Sequence, residues 1–202
     1  MKKLFIESKS NEDISEVLKK VKISGRIGLA SSIQFLNKLP EAKKYLKKSV
    51  IAGQVLGCNA SLCKKIKNKV DCFLYIGSGE FHPIRIAVET NKPIYIANPI
   101  TNEFSKLDAS VVETNIRMKR AKLSRFYSAE KIGVIFSLKP GQNKLNELHK
   151  ILNRIKKESY IFIADNINPG EFENFQDIEL WINTACPRIE DKKIINLEDL
   201  TI

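Results

Sequence analysis

The sequence has 202 residues, 43% hydrophobic and 28% charged, which are ordinary values for a globular protein. This length suffices for one large domain or for two small ones, each with its own hydrophobic core. The opening segment, MKKLFIESKSNED, is too polar for a signal peptide, and no later run approaches the roughly 20 apolar residues of a membrane span. We therefore expect a cytoplasmic protein that does not associate with a membrane.

The formal net charge is +11. Nucleic-acid binding is one explanation, and a lysine-rich surface of the kind found in thermophilic proteins is another. The lysines are spread along the chain without interleaved aromatic residues or a nucleic-acid-binding motif. We therefore expect no nucleic-acid partner.

Strand-like apolar runs alternate with amphipathic helical segments along most of the chain. A charged lead-in over residues 1–24 contains one predicted helix, EDISEVLKKVK. The segments that follow, in chain order, are the strand RIGLASS, the helix LPEAKKYLKK, the strand SVIAG, the helix NASLCKKIK capped by Asn59, the strand DCFLYIG, the helix HPIRIAVET and the strand PIYIANP. A long helix, ASVVETNIRMKRAKLSRFY, precedes the strand KIGVIFS, the helix NKLNELHKILNRIKK, the strand SYIFIAD, a short helix near Pro169 and the strand LWINT.

This alternation predicts an α/β fold with two consecutive units, each a parallel sheet with helices on both faces. The long helix is the predicted seam, so that one unit covers residues 25–128 and the other residues 129–202. The segments RIGLASSIQ and KIGVIFSLK resemble each other. Their similarity reflects either a common origin or two first strands of similar folds.

Four loops that follow predicted strands form the candidate functional site: GQVLGC (53–58), GSGEFHP (77–83), KPGQ (139–142) and NTACPR (183–188). In open α/β sheets, ligands bind in the crevice at the carboxyl ends of the strands. Residues of these loops are therefore the first candidates for chemistry.

The four cysteines lack a CxxC pair, which argues against a zinc ribbon or an ordinary ferredoxin cluster. Cys58 and Cys186 each stand alone after a strand. Two thiolates from separate units could hold an iron–sulfur cluster, and two inert buried cysteines are the alternative. Cys63, on the helix after Cys58, is either a further ligand or a packed or exposed thiol. Cys72 lies within DCFLYIG and is predicted to be a core residue.

The polar candidates also have two explanations each. Gly77, Ser78 and Gly79 either allow a ligand to approach the backbone and a helix N-terminus, or form a plain tight turn. His82 either binds a ligand or caps the helix. KPGQ reads as a turn or as a helix start, and Arg188 either pairs with a ligand carboxylate or makes a surface salt bridge.

The four loops lie within the motifs AGQVLGCN, YIGSGEFHP, KPGQ and INTACPRI. In this order and spacing, the motifs resemble the second and third domains of an archaeal enzyme family of diphthamide synthesis, 2-(3-amino-3-carboxypropyl)histidine synthase. The segment RIGLASSIQFLNKL is similar to the start of that second domain. The resemblance extends over nearly the whole chain from Arg26 onward.

The resemblance implies three related α/β domains, each giving one cysteine to a 4Fe-4S cluster whose remaining iron binds S-adenosylmethionine. Reduction then cleaves an S–C bond, and the 3-amino-3-carboxypropyl radical adds to a histidine ring of elongation factor 2. By this resemblance, Cys58 and Cys186 match the second- and third-domain ligands, and Pro187 stops the last strand beyond the turn that Asn183 and Thr184 orient. The residues that the resemblance assigns to the cofactor are Gln54, Gly77, Ser78, Gly79, His82, Lys139, Gly141, Gln142 and Arg188.

One part of the family pattern, the first domain with its cysteine, has no counterpart in the roughly 25 residues before the match. The third thiolate then comes from Cys63 or from a separate chain, or the cluster has been lost. We expect a transferase that works as a homo-oligomer or together with a full-length relative, on elongation factor 2 or another acceptor. The alternative is a non-catalytic accessory or ligand-binding module that kept the fold.

Overall fold

The computed structural model describes residues 4, 6–57 and 59–200. The chain divides into two compact units, Met1–Asn115 and Ile116–Ile202. Each contains a sheet of mainly parallel strands flanked by helices, which confirms the predicted α/β fold. The division falls within the long helix that the sequence predicts between the two units.

The first unit is a five-stranded sheet in the order β2-β1-β3-β4-β5. The first four strands are parallel, and β5 runs antiparallel to β4. The strands are β1 (Ile27–Ser31), β2 (Ser49–Gln54), β3 (Cys72–Ile76), β4 (Ile94–Asn98) and β5 (Glu103–Lys106). The α-helices are α1 (Ser15–Lys19), α2 (Leu39–Tyr45), α3 (Ser61–Ile66) and α4 (Phe81–Thr90), with 3-10 turns at Ile33–Lys38 and Lys67–Lys69.

The second unit is a four-stranded parallel sheet in the order β7-β6-β8-β9. Helix α5 (Ala109–Ser128) leads into it from the first unit. The remaining elements are β6 (Lys131–Ser137), α6 (Leu148–Ile155), β7 (Glu158–Ala164), β8 (Leu180–Asn183) and β9 (Ile194–Asn196), with 3-10 turns at Leu145–Glu147, Pro169–Asn174 and Leu197–Asp199.

Both faces are covered over the central strands of each sheet, which explains the nearly continuous apolar runs there. All five residues of β3 are buried. Its Leu74 and Ile76 pack with α1 and α2 residues, and its Phe73 and Tyr75 pack with α3 and α4 residues on the opposite face. In the second unit, Trp181 of β8 is buried against the aromatic rings of Phe162, Phe172 and Phe175.

The two units share one topology, because the strand order 2-1-3-4 occurs in both. They also share a packing detail. Gly28 of β1 is the register partner of Phe73, and a Cβ at Gly28 would lie 2.5 Å from the Phe73 ring. Gly133 of β6 is likewise the partner of Trp181, and a Cβ there would collide with the indole ring. The glycine that RIGLASS and KIGVIFS have in common thus makes room for a cross-strand aromatic residue in both units.

Several predicted boundaries are wrong. The lead-in helix is limited to the five residues of α1. The helix predicted over NKLNELHKILNRIKK begins as a 3-10 turn and ends at Ile155, because Lys156 adopts a left-handed conformation (φ +52°). The short helix near Pro169 is a 3-10 helix. Strands β5 and β9 were not predicted. None of the helices within the described ranges is long and apolar enough to cross a membrane.

Candidate functional site

The carboxyl ends of β1, β2 and β3 are tied together in the first unit. The Ser31 hydroxyl, at the end of β1, donates to the Ile76 carbonyl oxygen at the end of β3 (2.8 Å). The Val55 backbone N–H, just after β2, donates to the Ser31 carbonyl oxygen (2.8 Å). Gln54 is the register partner of Ser31 and is half-buried. The loops 53–58 and 77–83 therefore both begin at the carboxyl ends of strands in one sheet, as predicted from the α/β pattern.

The loop after β2 closes in a tight turn. Leu56 and Asn59 exchange two backbone hydrogen bonds of 3.1 and 3.0 Å, and Gly57 and Cys58 are the residues between them in sequence. Cys58 itself lies outside the described residues, so its predicted ligand role stays a prediction. Asn59 Oδ1 accepts a hydrogen bond from the Ser61 backbone N–H (2.8 Å), but the N-cap of α3 is Ala60, so the predicted cap lies one residue too early.

Gly57 brings this loop against the neighbouring one. A Cβ at Gly57 would collide with the ring of Phe81, the first residue of α4. The residue before Cys58 must therefore be a glycine for the loop to pack this closely on the start of α4. The loops GQVLGC and GSGEFHP are thus in contact, which the sequence order alone did not show.

The loop after β3 has the backbone conformations that its glycines suggest. Gly77 is buried with φ +150°, and a Cβ there would lie 2.9 Å from Tyr75 Oη. Gly79 has φ +73° and, like Ser78, is exposed. Pro83 lies in the first turn of α4, as predicted. Ser78 and Gly79 are therefore exposed at the carboxyl end of β3, where a ligand can approach the backbone.

His82 is held by a residue that sequence reasoning missed, Tyr75. Tyr75 Oη and His82 Nδ1 lie 3.2 Å apart, and the two rings stack with centroids 5.6 Å apart. Tyr75 is buried, and this burial raises the pKa of its hydroxyl, although hydrogen bonds with Ser32 act in the opposite direction. The phenol therefore stays protonated at neutral pH and fixes the orientation of the half-buried imidazole. Tyr75 could have been found from the sequence, because it lies two residues before Gly77 and on the same face of β3 as Phe73.

In the second unit, KPGQ forms a turn and does not begin a helix. The Gln142 backbone N–H donates to the Lys139 carbonyl oxygen (3.0 Å), and Gly141 takes φ +81° after Pro140. These are the hydrogen bond and residue preferences of a type II turn. The Lys139 backbone N–H donates to Ser137 Oγ (3.1 Å), which ties the turn to the end of β6. Lys139 and Gly141 are exposed, and Gln142 is half-buried.

Cys186 lies in a turn that the side chain of Asn183 holds in place. Asn183, the last residue of β8, is 2% exposed. Its Nδ2 donates to the Cys186 carbonyl oxygen (2.8 Å) and to Asn196 Oδ1 (2.9 Å). Its Oδ1 accepts from the Ala185 backbone N–H (2.9 Å). Asn183 therefore orients the turn, as predicted.

Further bonds fix both ends of this turn. Thr184 is buried, and its Oγ1 donates to the Ile135 carbonyl oxygen of β6 (2.7 Å). The Ile189 backbone N–H donates to the Cys186 carbonyl oxygen (3.0 Å). Asn196 Nδ2, from β9, donates to the Pro187 carbonyl oxygen (3.4 Å). The half-buried Cys186 thus stands on a well-bonded turn, whereas the nearby Arg188 is exposed.

Two other cysteines are core residues. Cys63 is fully buried on α3, and burial together with the nearby Glu89 carboxylate raises the pKa of its thiol to about 12. Cys72 is buried at the start of β3, as predicted, and burial raises the pKa of its thiol to about 11. Cys63 packs among the buried apolar residues on one face of the first sheet, and Cys72 packs in the hydrophobic cluster on the opposite face. This favours the packed alternative for Cys63 over a ligand role.

The predicted residues fall into two groups. One group lies at the strand ends of the first sheet and consists of Gln54, Gly77, Ser78, Gly79 and His82. The other lies at the strand ends of the second sheet and consists of Lys139, Gly141, Gln142, Cys186 and Arg188. The prediction that all four loops line one crevice stays a prediction. Within the described ranges, no three His, Cys, Asp or Glu side chains are grouped so that they could hold a metal ion.

These two units, each a mainly parallel sheet flanked by helices with loops at the carboxyl ends of its strands, define an α/β protein. The model of a family described as "Putative diphthamide synthesis protein" matches residues 1–193. The chain belongs to this family, which confirms the resemblance seen in the sequence motifs.

Individual relatives agree with this assignment. The chain is 31% identical over 207 residues to 2-(3-amino-3-carboxypropyl)histidine synthase of Pyrococcus horikoshii, over 92% of this chain and 58% of that protein. It is 29% identical over 189 residues to the synthase of the same name from Methanocaldococcus jannaschii, over 91% of this chain and 51% of that protein. It therefore spans little more than half the length of these relatives.

A solved structure shows the same fold. The crystal structure of Dph2 from Pyrococcus horikoshii with a 4Fe-4S cluster superposes with a TM-score of 0.79 at 30% sequence identity, covering 94% of this chain and 61% of that one. An iron–sulfur cluster is therefore present in a protein that shares both units of this chain.

Proposed function

We propose that this chain takes part in diphthamide biosynthesis as an iron–sulfur and S-adenosylmethionine-dependent transferase of the 3-amino-3-carboxypropyl group. In this proposal the enzyme acts in the cytoplasm and transfers the group to a histidine of elongation factor 2 or to another acceptor. The observation that carries the proposal is the Cys186 turn: a half-buried thiol at the carboxyl end of β8, fixed by Asn183. A solved relative with the same fold holds a 4Fe-4S cluster.

The chemistry of the cysteines fits a cluster held in part by this chain. Cys186 is accessible and rigidly placed, as a thiolate ligand needs to be. Cys58 matches the family motif after β2. Cys63 does not fit, because its side chain is fully buried in the hydrophobic core of the first unit. We therefore assign two ligands to this chain and the third to a partner chain, either a second copy or a full-length relative.

The remaining loop residues would receive the cofactor. When bound, the cluster supplies the electron that cleaves the S–C bond of S-adenosylmethionine. The exposed backbone at Ser78 and Gly79 gives a ligand close access, and Lys139 and Arg188 are exposed cations suited to a carboxylate. Tyr75 orients the imidazole of His82 at the same edge as Gly77. These residues bind and orient the cofactor in our proposal.

Metal content tests the proposal directly. The chain, purified without oxygen and reconstituted with iron and sulfide, alone and with a full-length relative, is assayed for iron and sulfide and by electron paramagnetic resonance after dithionite reduction. We expect a 4Fe-4S signal that S-adenosylmethionine perturbs and that Cys58→Ala and Cys186→Ala abolish. Cys63→Ala and Cys72→Ala are matched controls, because both remove a buried thiol, and they should leave the signal intact.

The opposite results are equally informative. If no cluster forms alone or with the relative, the transferase proposal is wrong and the chain is a non-catalytic accessory or ligand-binding module of the same family. If Cys63→Ala abolishes the signal in folded protein, the third ligand is internal and our assignment to a partner chain is wrong.

A further inference from the structure

Strand β7 forms an unprotected edge of the second sheet. It lies at the end of the strand order and pairs with β6 over all seven of its residues without a bulge. Its sequence, ESYIFIA, contains no proline or lysine, and Glu158 is its one charged residue. Proteins usually protect such an edge with proline, lysine, a bulge or a covering element, because its backbone groups can pair with another strand.

Large apolar side chains are exposed on both faces of this edge. Ile161 and Ile163 lie on one face and are 42% and 52% exposed. Tyr160 lies on the other face and is 43% exposed, beside Phe175, which is 44% exposed. A helix or loop docked on one face would leave the other uncovered. A strand added to the edge would cover both faces at once.

We propose that β7 pairs antiparallel with β7 of a second copy of this chain, about a twofold axis at Ile161. A twofold axis perpendicular to the sheet gives antiparallel pairing and continues each face across the interface. It must pass beside one residue, which then faces its own copy. Only the register centred on Ile161 pairs all seven residues of the strand. It places Tyr160 opposite Phe162, and aromatic cross-strand pairs are favourable.

The charges around the strand are compatible with this register. It places Glu158 opposite the uncharged Ala164, so no like charges meet. Just outside the strand it places Lys157 opposite the exposed Asp165, which have opposite charges. Lys157 also donates from Nζ to the carbonyl oxygens of Tyr127 and Ala129, within its own unit. The register therefore brings no like charges opposite each other.

This inference does not depend on the proposed chemistry, because it concerns a strand edge that needs no cluster. Disulfide trapping in the whole chain tests the register. In Ile161→Cys, the two new thiols face each other across the axis, within the distance that a disulfide spans. In Ile163→Cys, on the same face, the two copies are separated by four residues along the strand, roughly 14 Å. This is too far for a disulfide, so Ile163→Cys is the matched control.

Under mild oxidation, we expect the covalent dimer of Ile161→Cys to form at least about tenfold faster than that of Ile163→Cys, which should match the unchanged chain. Combining Ser159→Cys with Ile163→Cys should restore crosslinking, because those residues face each other in this register. Equal crosslinking of the two single variants would overturn the register.

The mass in solution tests the pairing itself. Light scattering on the unchanged chain should give a dimer, and Ile161→Lys should shift it to a monomer with unchanged circular dichroism. Ile100→Lys, at an exposed isoleucine of the first unit, should remain dimeric. A monomer at every concentration of the unchanged chain, or a dimer that Ile161→Lys leaves intact, would overturn the proposal.

Discussion

Replacing Asn183 with alanine should destabilise the second unit by roughly 3 kcal/mol. Asn183 makes three hydrogen bonds, to the Cys186 carbonyl oxygen, to Asn196 Oδ1 and from the Ala185 backbone N–H. Each is worth about 1 kcal/mol, and more where a buried partner is left unsatisfied, as the Ala185 N–H would be. The loss is a large share of the stability of a small domain, typically about 5–15 kcal/mol.

The chain carries its own probe for this measurement. Trp181 is its single tryptophan, and it is buried in β8 two residues before Asn183. Its fluorescence in a urea titration therefore reports the unfolding of the second unit. Asn166→Ala, at an exposed asparagine of the same unit, is the control and should change the unfolding free energy by less than about 0.5 kcal/mol.

A double-mutant cycle tests whether the asparagine side chains act as a network. Asn196→Ala removes the 2.9 Å bond to Asn183 and the longer bond to Pro187, so we expect a cost of about 1–1.5 kcal/mol. The double variant should cost about 1 kcal/mol less than the sum of the two single variants, because they share a bond. Additive costs, or a loss below about 1 kcal/mol for Asn183→Ala, would show that the amides do not hold the Cys186 turn.

Two further predictions concern buried contacts. The Cys63 thiol has a pKa of about 12 in the folded state, against 9.0 for an unperturbed thiol. The stability that this proton contributes is therefore fully present below pH 9 and is lost as the pH rises to 12. The unfolding free energy of the unchanged chain should therefore fall faster over this window than that of Cys63→Ala, by up to about 1.4 kcal/mol per pH unit, and parallel curves would contradict this. Gly133→Ala should cost about 1–3 kcal/mol by Trp181 fluorescence, because the new methyl group collides with the indole, whereas Gly170→Ala, with its nearest atom at 3.4 Å, should be nearly neutral.

The strands at the centre of each sheet could be predicted from the sequence because their burial is local in origin. DCFLYIG and LWINT are mostly apolar, and β3 and β8 are buried in every residue. Strand β9 could not be predicted, because its three residues follow the charged segment EDKK and are positioned by pairing with β8 and by burial in the core of the second unit. Asn196 was missed for the same reason, since its role depends on a partner 13 residues away.

The loop candidates were predicted less evenly. The sequence left KPGQ open between a turn and a helix start, and the structure has the turn, in which Gly141 takes the left-handed conformation that a type II turn requires after Pro140. The contact between Gly57 and Phe81 could not be predicted, because it joins two loops whose distance in space is set by the sheet order. The same holds for Tyr75 and His82, seven residues apart, whose contact depends on where α4 begins.

Repetition of the fold does not repeat the site. The two sheets share the order 2-1-3-4 and the same glycine beneath an aromatic ring. Cys58, however, follows β2 in sequence, whereas Cys186 follows β8, whose counterpart in the first unit is β3. The first-unit loop equivalent to the Cys186 turn is the one with Gly77, Ser78 and Gly79, which offers backbone and no thiol. The shared topology therefore explains why loops gather at these strand ends, but each loop's chemistry must be argued from its own residues.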